Sequence, residues 1–183
     1  ASAHVASNYY KNKLYDFTGF GASGLVKGIN FLSAGATGTN VYNNIIGDLK
    51  APAATGLNAI IGIDASATTP YNMFYNTIYL NATSSSVTTF GTSCILFSST
   101  ATSLNMRNNV LVNLSTPAQE GSNVATNGIS AALRRSAGTT GTVPANYSTT
   151  SNTNAFWCNP TPETNNNHLT YCEGTATVTN PYN

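Results

Sequence analysis

The sequence predicts an all-β fold, a parallel β-helix of about four coils of roughly 32 residues, each with three short strands. Two repeating ladders and an unusual composition lead there. The first ladder is a set of Asn-rich segments: NYYKNKLYDF at 8–17, NVYNNIIGDL at 40–49, NMFYNTIYLN at 72–81 and NMRNNVLVNL at 105–114. Their second asparagines, Asn12, Asn44, Asn76 and Asn109, step by 32, 32 and 33 residues. The second ladder lies between them, in GINFL, IIGID, CILFS and GISAA. Its isoleucines Ile29, Ile61, Ile95 and Ile129 step by 32, 34 and 34. Two independent ladders sharing a period of 20–50 residues mark a stacked repeat.

Composition narrows the choice. Charged residues make up 7 % of the chain, against about 25 % in an ordinary globular domain. Thr, Ser, Asn and Gly replace them. The net charge is +1 and the Lys and Arg are scattered, which excludes the clustered basic face that nucleic acid requires. No apolar run reaches the roughly 20 residues of a membrane span. Helical repeats are excluded by the period-two alternation and by the Asn, Thr and Gly content. Propeller blades need about 40 residues and hairpin turns, and neither is evident.

Each coil then takes one strand of the GINFL type, one of the NVYNN type and one directly after the second asparagine. Loops such as SAGATGT and KAPAATGLN join them. Stacked coils lie about 4.8 Å apart, so equivalent residues form columns. Asn12, Asn44, Asn76 and Asn109 read as an amide ladder at a corner, where asparagine tolerates the left-handed backbone and each amide bonds its neighbours. Val41, Met73 and Met106 form one inward column, and Leu14, Ile46, Ile78 and Leu111 another. Ile29, Phe31, Ile61, Ile63, Ile95 and Phe97 line a third wall. The array covers 1–157, and 158–183 forms a C-terminal tail or cap.

The segments VYNNIIGDLKAPAATGLNAIIGI, YNTIYLNATSS and MRNNVLVNLSTP, with a weaker echo in NYSTTSNTNAFW, resemble the right-handed parallel β-helix repeats of pectate-lyase-like proteins. They look closest to the Asn/Thr-rich arrays of secreted surface proteins of Bacteroidetes-type bacteria. The resemblance spans roughly residues 8–157. It implies a right-handed coil and an extracellular or cell-surface location, with the chain a segment of something longer. It implies little about activity. The expected role is structural or adhesive, a stalk or filament element with weak glycan binding. The partners would be polysaccharide, or other copies stacked end to end. The alternative is a polysaccharide lyase or glycoside hydrolase.

The sequence carries six acidic residues, few for an enzyme that needs carboxyl groups in mutual reach. Asp16 and Asp48 share a column and form a weak calcium candidate, lacking further oxygen ligands. Arg134 and Arg135 are read as a solvated strand end, or as a clamp for an acidic sugar. His4 and His168 belong to no catalytic or metal spacing. Alternation turns Tyr10, Tyr42, Phe74 and Arg107 outward, with Tyr15 and Tyr79 in a nearby column. Such a stripe is either a platform for sugar rings or a partner, or a stack that stabilises the sheet. Trp157 is expected to plug the core. Cys94 reads as a buried thiol, and Cys158 and Cys172 as a candidate disulfide suited to an oxidising location. Asn81, Asn113 and Asn146 match the glycosylation pattern.

Overall fold

In the computed structural model, residues 6–32, 37–118, 128–136, 146–158 and 167–172 are described. Among them every regular element is a strand, and all pairings are parallel. The chain is a β-solenoid of about four turns. The first sheet holds β1 (Ser7–Tyr10), β5 (Thr39–Tyr42), β9 (Pro70–Phe74) and β12 (Ser103–Arg107). The second holds β2 (Lys13–Leu14), β6 (Ile45–Gly47), β10 (Thr77–Leu80), β13 (Val110–Asn113) and β15 (Ala155–Cys158). The third holds β4 (Val26–Asn30), β8 (Ile60–Ala65), β11 (Thr92–Phe97), β14 (Ser130–Arg135) and β16 (Asn167–Cys172). A short pair, β3 (Phe17–Thr18) with β7 (Leu49–Lys50), extends the first two coils. The stretch expected as a tail or cap contributes β16 to the third wall.

The corner between the first and second sheets carries the amide column. Asn12 Nδ2 donates to Asn44 Oδ1 at 2.8 Å, Asn44 to Asn76 at 2.9 Å, Asn76 to Asn109 at 3.0 Å and Asn109 to Asn154 at 2.8 Å. Each Oδ1 also accepts the backbone N–H of the asparagine below it, at 3.0–3.2 Å. The second amide hydrogen goes to a carbonyl of the first sheet, Tyr9, Val41, Met73 or Met106. Two donors and two acceptor sites of each central side chain are therefore filled. This is what lets Asn44, Asn76 and Asn109 sit buried. Asn154 was not visible as a member, because 45 residues rather than 33 separate it from Asn109.

The left-handed backbone at this corner belongs to the preceding residue, not to the ladder asparagine. Lys11, Asn43, Tyr75, Asn108 and Thr153 have φ between 54° and 57°. A second such corner holds Asp16 and Asp48. Asparagine occupies the strained position twice, where its short side chain lowers the penalty. Tyr75 occupies it with a bulky ring.

Inside, Val41, Met73 and Met106 face Ile46, Ile78 and Leu111, and Ile60, Ile63, Ile95 and Phe97 close the third side. The isoleucine register differs from the sequence reading. Ile29 pairs with Ile63, Ile63 with Ile95, and Ile95 with Leu133. Ile61 stacks between Lys27 and Ser93 and lies outside the interior cluster, although buried. Interior residues of β8 fall at 60, 63 and 65, so strict alternation breaks at Gly62. A Cβ on Gly62 would meet Ile78 Cγ2 at 2.7 Å and the Cys94 carbonyl oxygen at 2.5 Å. The third sheet approaches the second too closely there for any side chain.

The two ends of the stack differ. In the first coil Tyr9 and Phe17 are each 40 % exposed, whereas Val41 and Leu49 one coil above are buried. At the other end, 146–152 folds over β12. Leu104 N–H donates to the Asn146 carbonyl at 2.7 Å, Met106 N–H to Ser151 Oγ at 3.0 Å and Asn108 N–H to the Asn152 carbonyl at 3.3 Å. The edge of the first sheet is consequently capped on that side.

Asn76→Ala strips acceptors from the backbone N–H and one amide hydrogen of Asn44, both buried. It should cost about 2–4 kcal/mol in chemical denaturation. Asn8→Ala, in the exposed amide row, should cost under about 1 kcal/mol. Tyr75→Asn should raise stability by about 0.5–1 kcal/mol in the same assay, by easing the left-handed backbone.

Candidate functional site

The outer face of the second sheet exposes Tyr15, Ile45, Tyr79, Val110 and Trp157. Leu14, Ile46, Ile78, Leu111 and Phe156 share one register position and point into or pack against the core. Their neighbours on either side therefore point outward. One outward column is Lys13, Ile45, Thr77, Val110 and Ala155, and every member is exposed. The other runs Tyr15, Gly47, Tyr79, Val112 and Trp157, with Tyr15 directly after β2. Tyr15, Tyr79 and Trp157 are 57, 45 and 61 % exposed. This wall therefore leaves Tyr15, Ile45, Tyr79, Val110 and Trp157 in contact with water. None of these ten positions is acidic, and Lys13 is the one basic residue, its ammonium 5.1 Å from the Tyr15 ring centre.

Trp157 was expected to plug the core and does not. It lies outward beside Val112, while Phe156 takes the inward place. The signal was present in the inward series Ile46, Ile78, Leu111, which fixes an outward neighbour on each strand. The irregular step into β15 hid its continuation.

The column on the first sheet has a different character. Tyr10 and Tyr42 stack on each other, centroids 4.9 Å apart and planes within 2°. The Arg107 guanidinium lies 5.8 Å from the Phe74 ring centre and its Nε donates to Asn105 Oδ1. Tyr42, Phe74 and Arg107 are half-buried. Adjacent coils put these groups in contact with each other, as in a cross-strand pair. Beside them Asn8, Asn40, Asn72 and Asn105 form a second amide row, in which each Nδ2 donates to the coil below.

The described carboxylates are occupied by lysines. Lys50 Nζ sits 3.3 Å from Asp16 Oδ1 and 2.8 Å from Asp48 Oδ1. The bonds to Asp48, then to Asp16, hold its pKa above the ordinary lysine value. The Lys50 ammonium thus lies between Asp16 and Asp48, the pair read above as a weak calcium candidate. Asp64 is buried, with Lys27 Nζ 2.5 Å from Oδ2 and Ser66 Oγ donating to Oδ1. Among the described residues no three His, Cys, Asp or Glu side chains cluster as a metal site. Arg134 and Arg135 do not form a solvated edge. Arg134 is buried and donates to the Leu57 carbonyl at 3.0 Å, and Arg135 Nε donates to Asn146 Oδ1 at 2.9 Å.

Cys94 is a buried free thiol whose pKa is pushed up by burial. Cys158 is buried too, its Sγ donating to the His168 carbonyl at 2.7 Å. The side chain of Cys172, its expected partner, lies outside the described residues, as does His4. Among the described residues no helix is long and apolar enough to cross a membrane.

Two of the three glycosylation candidates are buried. Asn113 is fully buried, its Nδ2 donating to Thr92 Oγ1 at 2.9 Å and to the Ala131 carbonyl at 2.9 Å. Asn146 Nδ2 donates to the Ser98 and Ala101 carbonyls at 2.9 and 3.0 Å. A glycan on either nitrogen would displace these buried bonds. Asn81 is exposed.

Comparison with family models, curated proteins and solved structures finds no match for this chain. The outer face of the second sheet is therefore judged on its own chemistry. Expressed in a glycosylating host, the folded protein should carry sugar at Asn81 and none at Asn113 or Asn146, as read by mass spectrometry of glycopeptides.

Proposed function

We propose that this chain is a structural and adhesive β-solenoid segment of an extracellular bacterial surface protein. In this reading the coil is a rigid stalk, and the outer face of the second sheet holds polysaccharide weakly. The observation that carries it is the exposed strip of Tyr15, Tyr79 and Trp157 beside Ile45 and Val110. Flat amphipathic rings on a rigid sheet bind sugar rings with little loss of side-chain freedom. The resemblance to Asn/Thr-rich surface arrays and the low charge support the same reading. Assembly of copies into a filament is disfavoured on the β12 side, where 146–152 takes the edge bonds.

The enzymatic alternative needs free carboxylates in reach of one another. The three carboxylates among the described residues, Asp16, Asp48 and Asp64, are each bound to lysine, which supports the binding role.

The test is co-sedimentation with a panel of insoluble and cell-wall polysaccharides, with release of reducing ends or unsaturated sugars followed in parallel. The expected result is retention without turnover. Retention should fall roughly 2- to 12-fold in Tyr79→Ala or Trp157→Ala, both surface changes that leave the core intact. Product release would favour the enzyme, and no retention by any polysaccharide would overturn the proposal.

A further inference from the structure

The spacing of the exposed rings narrows the ligand. Tyr15, Tyr79 and Trp157 stand at every second coil of one column, with Gly47 and Val112 between them. Coils rise by about 4.8 Å, so successive aromatic positions lie about 10 Å apart. At that separation the rings cannot stack on one another, unlike Tyr10 and Tyr42 on the first sheet. That leaves the faces of Tyr79 and Trp157 open to a ligand, while the Lys13 ammonium lies 5.1 Å from the Tyr15 ring centre. The strip is two columns wide and five strands long, about 20 Å by 10 Å. That is far short of the roughly 800 Å² per partner that a stable protein interface needs. It suits a narrow linear ligand. With no carboxylate and one lysine at its end, the strip complements an uncharged chain better than an acidic one.

From this we infer that the face binds a single extended, uncharged, β-linked glycan chain lying along the solenoid axis. Every second sugar ring rests on Tyr15, Tyr79 or Trp157. The inference rests on the glycan reading above and specifies its ligand. In an extended β-linked chain successive rings alternate in orientation, so the same ring face recurs every second sugar. That repeat matches a contact at every second coil. An α-1,4-linked chain winds into a helix and carries its rings away from a straight column. The flanking column of Ile45, Thr77 and Val110 supplies the apolar ledge along the chain edge, and Thr77 a hydroxyl among the sugar hydroxyls.

The test is titration calorimetry of the full chain against a length series of cello-oligosaccharides and the matching malto-oligosaccharides. Three rings bridge two aromatic positions and five bridge all three. Affinity for the cello series should therefore step upward at about three and again at about five rings. Malto-oligosaccharides of equal length should bind at least roughly 5-fold more weakly. Tyr79→Ala should remove the step at about three rings, and Tyr75→Ala, on the neighbouring corner, should leave both steps intact. Equal binding of both series, or a smooth rise without steps, would overturn the extended-chain inference while leaving glycan binding standing. No heat with either series, together with no retention on polysaccharide, would overturn both.

Discussion

The buried amide column on which the rest of this solenoid depends solves a problem of corners. Where a strand turns sharply into the next wall, the backbone leaves the ladder of its own sheet, and its polar groups must bond elsewhere or be desolvated at about 1–3 kcal/mol each. Asn44, Asn76 and Asn109 supply the missing partners from a side chain with two donors and two acceptor sites. One acceptor site takes the N–H of the coil below, and one donor returns to a carbonyl of the first sheet. A serine at these positions would lack one of the two donors, and an aspartate both. The column is thus both a filler of hydrogen-bond capacity and a ruler that holds the coils in register.

Register at the corner propagates outward. Because Asn12, Asn44, Asn76, Asn109 and Asn154 are aligned, Leu14, Ile46, Ile78, Leu111 and Phe156 two residues later are aligned as well, and so are Tyr15, Tyr79 and Trp157 one residue further. The outer strip inherits its spacing from a bond network it does not touch. The same constraint explains the strained backbone before each ladder residue. Tyr75 and Lys11 are kept in a conformation suited to glycine or asparagine, because the amide that follows must face the interior.

The parts of the fold legible in the sequence are those where the period is constant. The steps of 32 and 33 between Asn12, Asn44, Asn76 and Asn109 mark the corner, and the period-two alternation around Val41, Met73 and Met106 orients the first wall. The third wall was misread at one place for a physical reason. Its strands hold two inward residues in succession, at Gly62 and Ile63, and the step from Ile29 to Ile63 is 34 residues, so a reading by the 32-residue period takes Ile61 as the partner of Ile29. Asn154 and Trp157 escaped for another reason. The chain between Asn109 and Asn154 is longer by about a third of a coil, since it also folds across β12. The carboxylates and Asn113 were opaque because occupancy by Lys27 and Lys50, or burial against Thr92, depends on which columns meet in space.

The two aromatic columns differ in the spacing of their rings. Rings on successive coils, like those of Tyr10 and Tyr42, lie at stacking distance and satisfy each other, so such a column stiffens its sheet and offers mainly edges to a ligand. Rings on alternate coils are too far apart to meet. A gap filled by glycine or valine costs the sheet the contact energy of a stacked pair, of order 0.5–1.5 kcal/mol, and returns none of it to folding. Sheets built for stability alone have no use for that arrangement, particularly with a tryptophan and a tyrosine standing in water on a face that parallel sheets normally cover. In the proposed reading, a column that forgoes stacking leaves the faces of Tyr79 and Trp157 to a ligand with the same two-coil repeat.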